Sequence, residues 1–286
     1  MNTILPVRGF LLHITHYDPT WCMTKETETP FDLHLGLDVI DCMASVGLNL
    51  VMIDCGDGLI YASHPELTRH YSQSLKVLQH LVQRAKHHNI EVVPLLNFAQ
   101  SGVFQNNHWF RPHHKLFDNE EYWHFAFEII DELLQVIQPP RFFHIGMDED
   151  HWRSHRQYIQ AIETLHSGLA KRHLQTIIWN ATALRKAEFE VFKEKSLVAE
   201  KAIPNDVIQV VFDYVDVQPE IFERLRNRKF PIWGAPGDNP SQVETMRDVL
   251  LKYNGQGILL TRWIPCIEQN RDGLLNYINR TGLLCS

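Results

Sequence analysis

Eight short apolar runs, each followed by a longer polar or amphipathic stretch, constrain the fold of this 286-residue chain more than any other feature. Such alternation predicts strands separated by helices, and therefore a parallel sheet. Eight is the number of strands that closes a barrel, and strands buried on both faces are expected to be continuously apolar. We therefore predict a single (β/α)8 TIM barrel over residues 1–286. The runs occupy residues 9–15, 48–55, 91–98, 142–147, 175–181, 206–214, 230–236 and 256–263.

Helical periodicity is clearest in five of the intervening stretches. In the longest one, Trp123, Phe127, Ile130 and Leu134 recur three or four residues apart. Several predicted helices end at Gly or Asn, which are common stop signals. A doubly wound open sheet is the competing fold, but no Gly-x-Gly-x-x-Gly motif follows the first predicted strand. The five predicted helices cover residues 33–47, 74–89, 119–138, 158–173 and 241–254.

Composition narrows the class of protein. The formal net charge is −7 with the charges scattered along the chain, and no basic block predicts a nucleic-acid partner. No segment has the roughly 20 apolar residues of a membrane span, and the first residues do not resemble a signal peptide. The five cysteines form no Cys-x-x-Cys pair and are odd in number. This pattern favours reduced thiols, so we expect a cytoplasmic protein without a membrane partner.

The stretch RFFHIGMDEDHW, residues 141–152, places Asp148, Glu149 and Asp150 directly after the fourth predicted strand. In a barrel of this type, chemistry lies where the strands end. Side chains alternate along a strand, so His144 and Gly146 share the inward direction of Asp148. Beyond the strand the chain can turn, which lets both Asp148 and Glu149 reach one pocket. Helix capping is the alternative explanation, and it suits Asp150, because a predicted helix follows.

The segment HIGMDE resembles the His-x-Gly-x-Asp-Glu signature of family 20 glycoside hydrolases, the β-N-acetylhexosaminidases. Further similarities follow in the family's order, from residue 8 to residue 263. RGFLLHITHY resembles the opening of strand one, which implies that Arg8 grips sugar hydroxyls. LNLVMIDCGDG resembles the second-strand segment and places Asp57 at its acidic position. IIWN and GILLTRW put Trp179 and Trp263 where the family has aromatic walls for the sugar.

The resemblance implies a retaining exo-β-N-acetylhexosaminidase that needs no nucleophile of its own. The substrate's acetamido oxygen attacks the anomeric carbon, a recognised exception to the two-carboxylate scheme. Glu149 then serves as general acid and base, while Asp148 orients the acetamido group and offsets its developing positive charge. The neighbouring charge of Asp148 is expected to raise the pKa of Glu149. No cofactor is implied, and the expected partner is a substrate with a terminal N-acetylhexosamine; a homodimer is a further expectation.

Several positions depart from the family pattern. Strand one has His13 where an aspartate is usual, and the Trp-x-Glu of strand eight becomes Trp-Ile-Pro. The Pro-Gly-His segment after strand three is missing. For the tyrosine that polarises the acetamido oxygen, Tyr214 at the end of strand six is the candidate. Trp233 near strand seven completes the expected aromatic rim, and His144 is expected to support the acid pair.

Two alternatives stay open at this stage. A glycosidase with its own nucleophile needs a second carboxylate about 5–5.5 Å from Glu149, and Asp213 and Asp238 are the candidates. A sugar-binding or regulatory protein without turnover is also possible, given the departures above. A metal site is not predicted: His113 and His114 are interpreted as residues of a solvated loop. The sequence does not identify the sugar or the linkage.

Overall fold

The computed structural model describes residues 4–15, 27–101, 109–138 and 141–286. Within these ranges, eight parallel strands are hydrogen-bonded in chain order and β8 pairs with β1, so the sheet closes into a barrel. The predicted (β/α)8 fold is confirmed. The strands are β1 (Val7–His13), β2 (Leu50–Asp54), β3 (Glu91–Leu95), β4 (Phe142–His144), β5 (Gln175–Asn180), β6 (Ile208–Asp213), β7 (Ile232–Pro236) and β8 (Gly257–Thr261).

Helices follow the strands and cover the outside of the barrel. All five predicted helices are present, and three shorter ones add to them. Gly47, Asn89 and Asn254 follow α1, α2 and α7 with positive φ, as expected of residues that end helices. The helices are α1 (Leu33–Ser45), α2 (Leu75–His87), α3 (Glu120–Val136), α4 (His155–Ala170), α5 (Glu190–Ala199), α6 (Pro219–Asn227), α7 (Pro240–Lys252) and α8 (Arg271–Thr281).

Two apolar cores result from the alternation of side chains along each strand. One lies inside the barrel and includes Leu11, Met52 and Val93. The other lies between the strands and the helices, and includes Phe10, Leu12 and Ile53. In β1, therefore, odd-numbered residues point inward and even-numbered residues point toward the helices. This parity decides which polar residues can reach the barrel's interior.

No helix among the described residues is long and apolar enough to cross a membrane.

Candidate active site

The backbone after β4 turns through conformations that side-chain-bearing residues rarely adopt. Gly146, Met147 and Glu149 have φ of 69°, 72° and 53°. The amide of Met147 donates to Asn97 Oδ1 at 3.1 Å, which holds the turn against the end of β3. A Cβ at position 146 would lie 2.1 Å from that same oxygen, so only glycine fits there. Because the chain turns immediately after the strand, Asp148 and Glu149 are not forced to opposite faces.

Asp148 is buried at the mouth of the barrel, where Asn97 Nδ2 donates to its Oδ1 at 2.7 Å. Burial raises the pKa of Asp148 to about 6, and the nearby carboxylate of Asp54 adds to the rise. The hydrogen bond from Asn97 acts in the opposite direction. Asp148 is therefore ionised at neutral pH but titrates far closer to neutrality than an ordinary aspartate.

Glu149 is half-buried, and no hydrogen bond reaches its carboxyl group from the part of the chain that the structure describes. Burial raises its pKa well above the ordinary value, and the charge of Asp148 raises it further. The expected influence of Asp148 on Glu149 is thus present, although burial is the larger cause. Two interacting carboxyls titrate as a pair, and both members of this pair hold their protons more tightly than ordinary carboxyls do.

Asp150 belongs to a different environment. Its Oδ2 lies 2.8 Å from Arg153 Nη1, and its Oδ1 lies 3.1 Å from Lys195 Nζ. Burial opposes ionisation, but the two positive charges outweigh it and lower the pKa of Asp150. The helix-capping interpretation of Asp150 is wrong, because Ser154 caps α4 through a reciprocal bond pair with Gln157. Asp150 instead forms a buried ion-pair cluster beneath the site.

His144 lies under the acid pair. It is fully buried, its Nδ1 accepts a hydrogen bond from the Gly146 amide at 2.9 Å, and its ring packs 4.6 Å from Trp179. Burial keeps its pKa well below the ordinary value, so the imidazole is neutral. A side chain without exposed surface cannot touch a substrate directly. His144 therefore supports the turn that carries the two acids, as its expected role beneath them requires.

Three aromatic side chains, Trp179, Tyr214 and Trp263, lie at or just after the C-terminal ends of β5, β6 and β8. The Trp263 ring is half-buried and lies 5.9 Å from the Trp179 ring. Its Nε1 donates to the Tyr214 hydroxyl at 2.9 Å. Burial of that hydroxyl raises the pKa of Tyr214, and the charges of Asp148 and Glu149 raise it further. Tyr214 is thus protonated and electrostatically coupled to the acid pair, and Trp179 forms the floor beneath Trp263.

A histidine–carboxylate pair completes the polar part of the mouth. His13 and Asp54 are opposite each other in the register of β1 and β2, and His13 Nδ1 lies 3.0 Å from Asp54 Oδ2. The His13 ring packs 5.2 Å from Trp263. The neighbouring strand thus places a carboxylate beside His13. Asp54 was not predicted. It is the last residue of β2 and shares the inward direction of Leu50 and Met52, which the sequence pattern could have revealed.

Asn97 is the second residue that the sequence analysis missed. It follows β3 with the inward parity of Val93 and Leu95, so the rule that located Asp148 could also have located Asn97. The resemblance instead directed attention to a Pro-Gly-His segment that this chain lacks. An asparagine in a sequence indicates a catalytic site less clearly than a carboxylate does. Here the Asn97 side chain donates to the Asp148 carboxylate and accepts from the Met147 amide in the turn.

Three predicted sugar-contacting residues lie elsewhere. Arg8 is at the N-terminal end of β1 with the even, outward parity, and its guanidinium donates to the carbonyls of Leu5 and Gly47. Trp233 is the second residue of β7, fully buried in the lower barrel against Phe142. Both predictions are wrong for the same reason: proximity to a strand does not reveal which end of the strand a residue occupies.

Asp57 follows β2 on the catalytic face, but it is buried among its own partners. Thr15 Oγ1 donates to its Oδ1 at 2.5 Å, and Arg69 lies 3.7 Å from its Oδ2. Its carboxylate thus organises the loop, whereas Asp54, three residues earlier, has the inward parity of β2. The prediction of a sugar contact at Asp57 is corrected accordingly.

The two candidate nucleophiles are also engaged away from the acid pair. Asp213 has the outward parity of β6 and accepts from the amides of Val215 and Asp216, which makes it a turn residue. Asp238 is exposed and pairs with Arg262. Neither is placed to attack a sugar held by Glu149, so the structure offers no support for a nucleophile at these two positions.

Comparison with known proteins identifies the fold. No family model matches the sequence, and no curated protein matches it. Solved structures do match: Dispersin B superposes with a TM-score of 0.62 at 15% identity over 98% of each chain. The chitobiase of Flavobacterium johnsoniae, a family 20 glycoside hydrolase, gives 0.70 at 13% identity, covering 98% of this chain and 48% of that one.

A third match is the family 20 β-N-acetylhexosaminidase of Streptomyces coelicolor, with a TM-score of 0.67 at 12% identity, covering 98% of this chain and 64% of that one. The chain therefore spans nearly all of Dispersin B but only about half to two thirds of the two larger proteins. Its fold is that of the family 20 glycoside hydrolases, as the resemblance of the HIGMDE segment implied.

Proposed function

We propose that the chain is a glycoside hydrolase that removes terminal β-linked N-acetylhexosamine with retention of configuration, by substrate-assisted catalysis. One observation carries the proposal: adjacent carboxyls, Asp148 and Glu149, lie at the C-terminal end of β4, and burial raises the pKa of both. Solved structures of similar fold support it, since a Vibrio harveyi family 20 enzyme is described in complex with N-acetylglucosamine.

In the first step, the acetamido carbonyl oxygen of the substrate attacks the anomeric carbon, and the bond to the leaving oxygen breaks. Glu149 donates its proton to that oxygen, and its raised pKa favours the protonated form that this step requires. The product of this step is a cyclic oxazolinium. Asp148 accepts a hydrogen bond from the acetamido N–H and offsets the positive charge that develops there.

In the second step, Glu149, now ionised, removes a proton from water, and the water oxygen attacks the anomeric carbon from the face that the leaving group vacated. The oxazolinium ring opens and restores the acetamido group. Two inversions at one carbon give overall retention. No nucleophile of the protein is required, which agrees with the engagement of Asp213 and Asp238 in other contacts.

Tyr214 is proposed to polarise the acetamido oxygen. An indole N–H can only donate, so the bond from Trp263 uses a lone pair of the Tyr214 hydroxyl and leaves its proton available. Trp263 and Trp179 are proposed to form the wall and floor of the sugar pocket, because flat rings stack on the apolar face of a pyranose. His13 and Asp54 are proposed to bind sugar hydroxyls.

The test compares nitrophenyl β-N-acetylglucosaminide, β-N-acetylgalactosaminide and β-glucoside with the wild-type chain and with Asp148→Asn. We expect turnover of the acetamido sugars only, and a loss of kcat of about 10²–10³-fold in the variant. Turnover of the plain glucoside would indicate a nucleophile of the protein. Binding of N-acetylhexosamines without turnover of any substrate would indicate a sugar-binding protein instead.

A cytoplasmic location, a homodimer and a single catalytic domain over residues 1–286 remain predictions.

A further inference from the structure

Two loops on the catalytic face bring together a group of side chains that the sugar chemistry does not use. His64 and Glu66 follow β2, and His113 lies in a 3₁₀ turn, Arg111–Leu116, that follows β3. One nitrogen from each histidine and one oxygen from Glu66 all lie within 4.8 Å of one another. His113 is 47 positions from Glu66 and 49 from His64 in sequence, so the fold brings it to the other two.

Within this group, one carboxylate oxygen lies between two imidazole nitrogens. Glu66 Oε1 is 2.8 Å from His64 Nδ1 and 2.9 Å from His113 Nε2. The second contact is an ion-pair distance, and His113 Nε2 is buried with no hydrogen bond of regular geometry in the described ranges. A buried polar atom in this state costs free energy unless something other than a hydrogen bond satisfies it.

The outer nitrogen of His64 is also occupied. His64 Nε2 lies 3.2 Å from Glu128 Oε2, on α3. If Nε2 carries the proton and donates it to Glu128, the lone pair of His64 Nδ1 points toward Glu66 and His113. Histidines that bind metals commonly donate their other ring N–H to a carboxylate in this way, which fixes the tautomer and the ring orientation.

We propose that His64, Glu66 and His113 bind a Zn²⁺ ion. Two histidines and one glutamate form a recognised zinc ligand set, with water completing the tetrahedron. Ligand atoms about 2.0–2.1 Å from zinc lie roughly 3.3 Å apart, so Glu66 Oε1 must withdraw by only about 0.5 Å from each nitrogen. The Glu66 side chain is 43% exposed, which leaves it free to make this movement and leaves room for the water.

The rings that would bind the ion are already held in place. Phe125 packs 4.8 Å from the His64 ring and 4.9 Å from the His113 ring, and both histidines are nearly buried. A bound ion would join the loops after β2 and β3 at one edge of the active-site face.

A metal-free explanation makes a different prediction. His64 could carry a proton on both nitrogens and bridge Glu66 and Glu128 as a cation, with no affinity for metal. Isothermal titration of Zn²⁺ into the chelator-treated full chain separates the two explanations. We expect one equivalent bound and a melting temperature raised by several degrees in excess Zn²⁺, because the ion binds the folded state.

Variants show whether the bound ion occupies this site. Glu66→Gln keeps the size of a partly exposed side chain, so it should fold normally and bind Zn²⁺ much more weakly; His113→Ala should abolish binding. Glu128→Gln should weaken binding by about 10- to 100-fold. The matched control is His88→Ala, since His88 also pairs with a surface carboxylate, Asp41, at 2.7 Å. Absence of Zn²⁺ binding in the wild type, or equal binding by wild type and Glu66→Gln, would overturn the proposal.

Discussion

Three consecutive acids, Asp148, Glu149 and Asp150, have opposite electrostatic environments. Asp150 is bonded to Arg153 and Lys195, and its pKa is lowered. Glu149 and Asp148 lie one and two residues before it, and their pKa values are raised. Ionised Asp150 therefore stabilises the fold, whereas ionised Asp148 and Glu149 destabilise it.

The cause of the difference is the backbone turn after β4. Its left-handed residues, Met147 and Glu149, direct the first two acids to the barrel mouth, while Asp150 returns to the protein interior. Strained backbone and unbalanced charge both cost stability, and both concentrate at functional sites. If the acid pair is catalytic, changes to the pair should reduce activity, and changes to the Asp150 cluster should reduce stability.

The largest effect is expected for Glu149→Gln. Glutamine cannot transfer a proton, so kcat/KM for a nitrophenyl N-acetylglucosaminide should fall by about 10²–10⁴-fold. The loss should shrink for a dinitrophenyl substrate, whose leaving group needs less protonation. Glu163→Gln, on the exposed face of α4, is the matched control and should retain full activity. An equal loss with both leaving groups would contradict the role of Glu149 as general acid.

Arg153→Ala tests the other half of the comparison. The guanidinium is fully buried and bridges Asp150 and Asp118, so its removal leaves uncompensated buried charge. We expect the free energy of unfolding in urea to fall by about 3–5 kcal/mol. Arg156→Ala, on the exposed surface of α4, should change the free energy of unfolding by less than about 0.5 kcal/mol. A loss below about 1 kcal/mol in Arg153→Ala would mean that the cluster is not structural.

Paired substitutions should change stability in opposite directions. At pH 7, Asp148→Asn should stabilise the fold by about 1–3 kcal/mol, because the folded state raises the pKa of Asp148 from 3.8 to about 6. Ionised Asp148 destabilises the folded state fully above pH 6, and not at all below the pKa that Asp148 has in the unfolded chain. The stabilisation by Asp148→Asn should therefore disappear near pH 4.

Asp150→Asn should instead destabilise the fold at pH 7, since it leaves Arg153 and Lys195 without their shared carboxylate. The pKa of Asp150 is lower in the folded state than in the unfolded chain. Its contribution to stability is therefore fully present above the unfolded-state pKa, and it is lost as the pH falls through the folded-state pKa. Urea unfolding of both variants at pH 7 and pH 4 measures the two signs. Destabilisation by Asp148→Asn at pH 7 would remove the distinction between the acids.

The barrel could be predicted because the alternation of apolar runs and helical stretches is a local pattern, which can be read from the sequence alone. The sequence also located Asp148 and Glu149, because acids directly after an apolar strand stand out. It failed for Arg8 and Trp233, where strand bounds and parity had to be known to within one or two residues. The inward parity of Asn97 and Asp54 could be read from the sequence, but their partners could not. The contacts Asn97–Asp148, His13–Asp54 and Asp150–Lys195 join residues more than 40 positions apart, which a single sequence does not reveal.

The smallest expected effect concerns Asn97, whose Nδ2 lowers the pKa of Asp148 by donating to its carboxylate. In Asn97→Ala the pKa of Asp148 should rise above 6, so the acidic limb of the kcat/KM profile should move up by about one pH unit. Asn180→Ala is the matched control: Asn180 is also a buried asparagine at a strand end, but it bonds to Glu200 and Gln209. Its acidic limb should stay in place even if its stability falls. A shift of equal size in both variants would show that loosening of the barrel, rather than the lost hydrogen bond, sets the titration of Asp148.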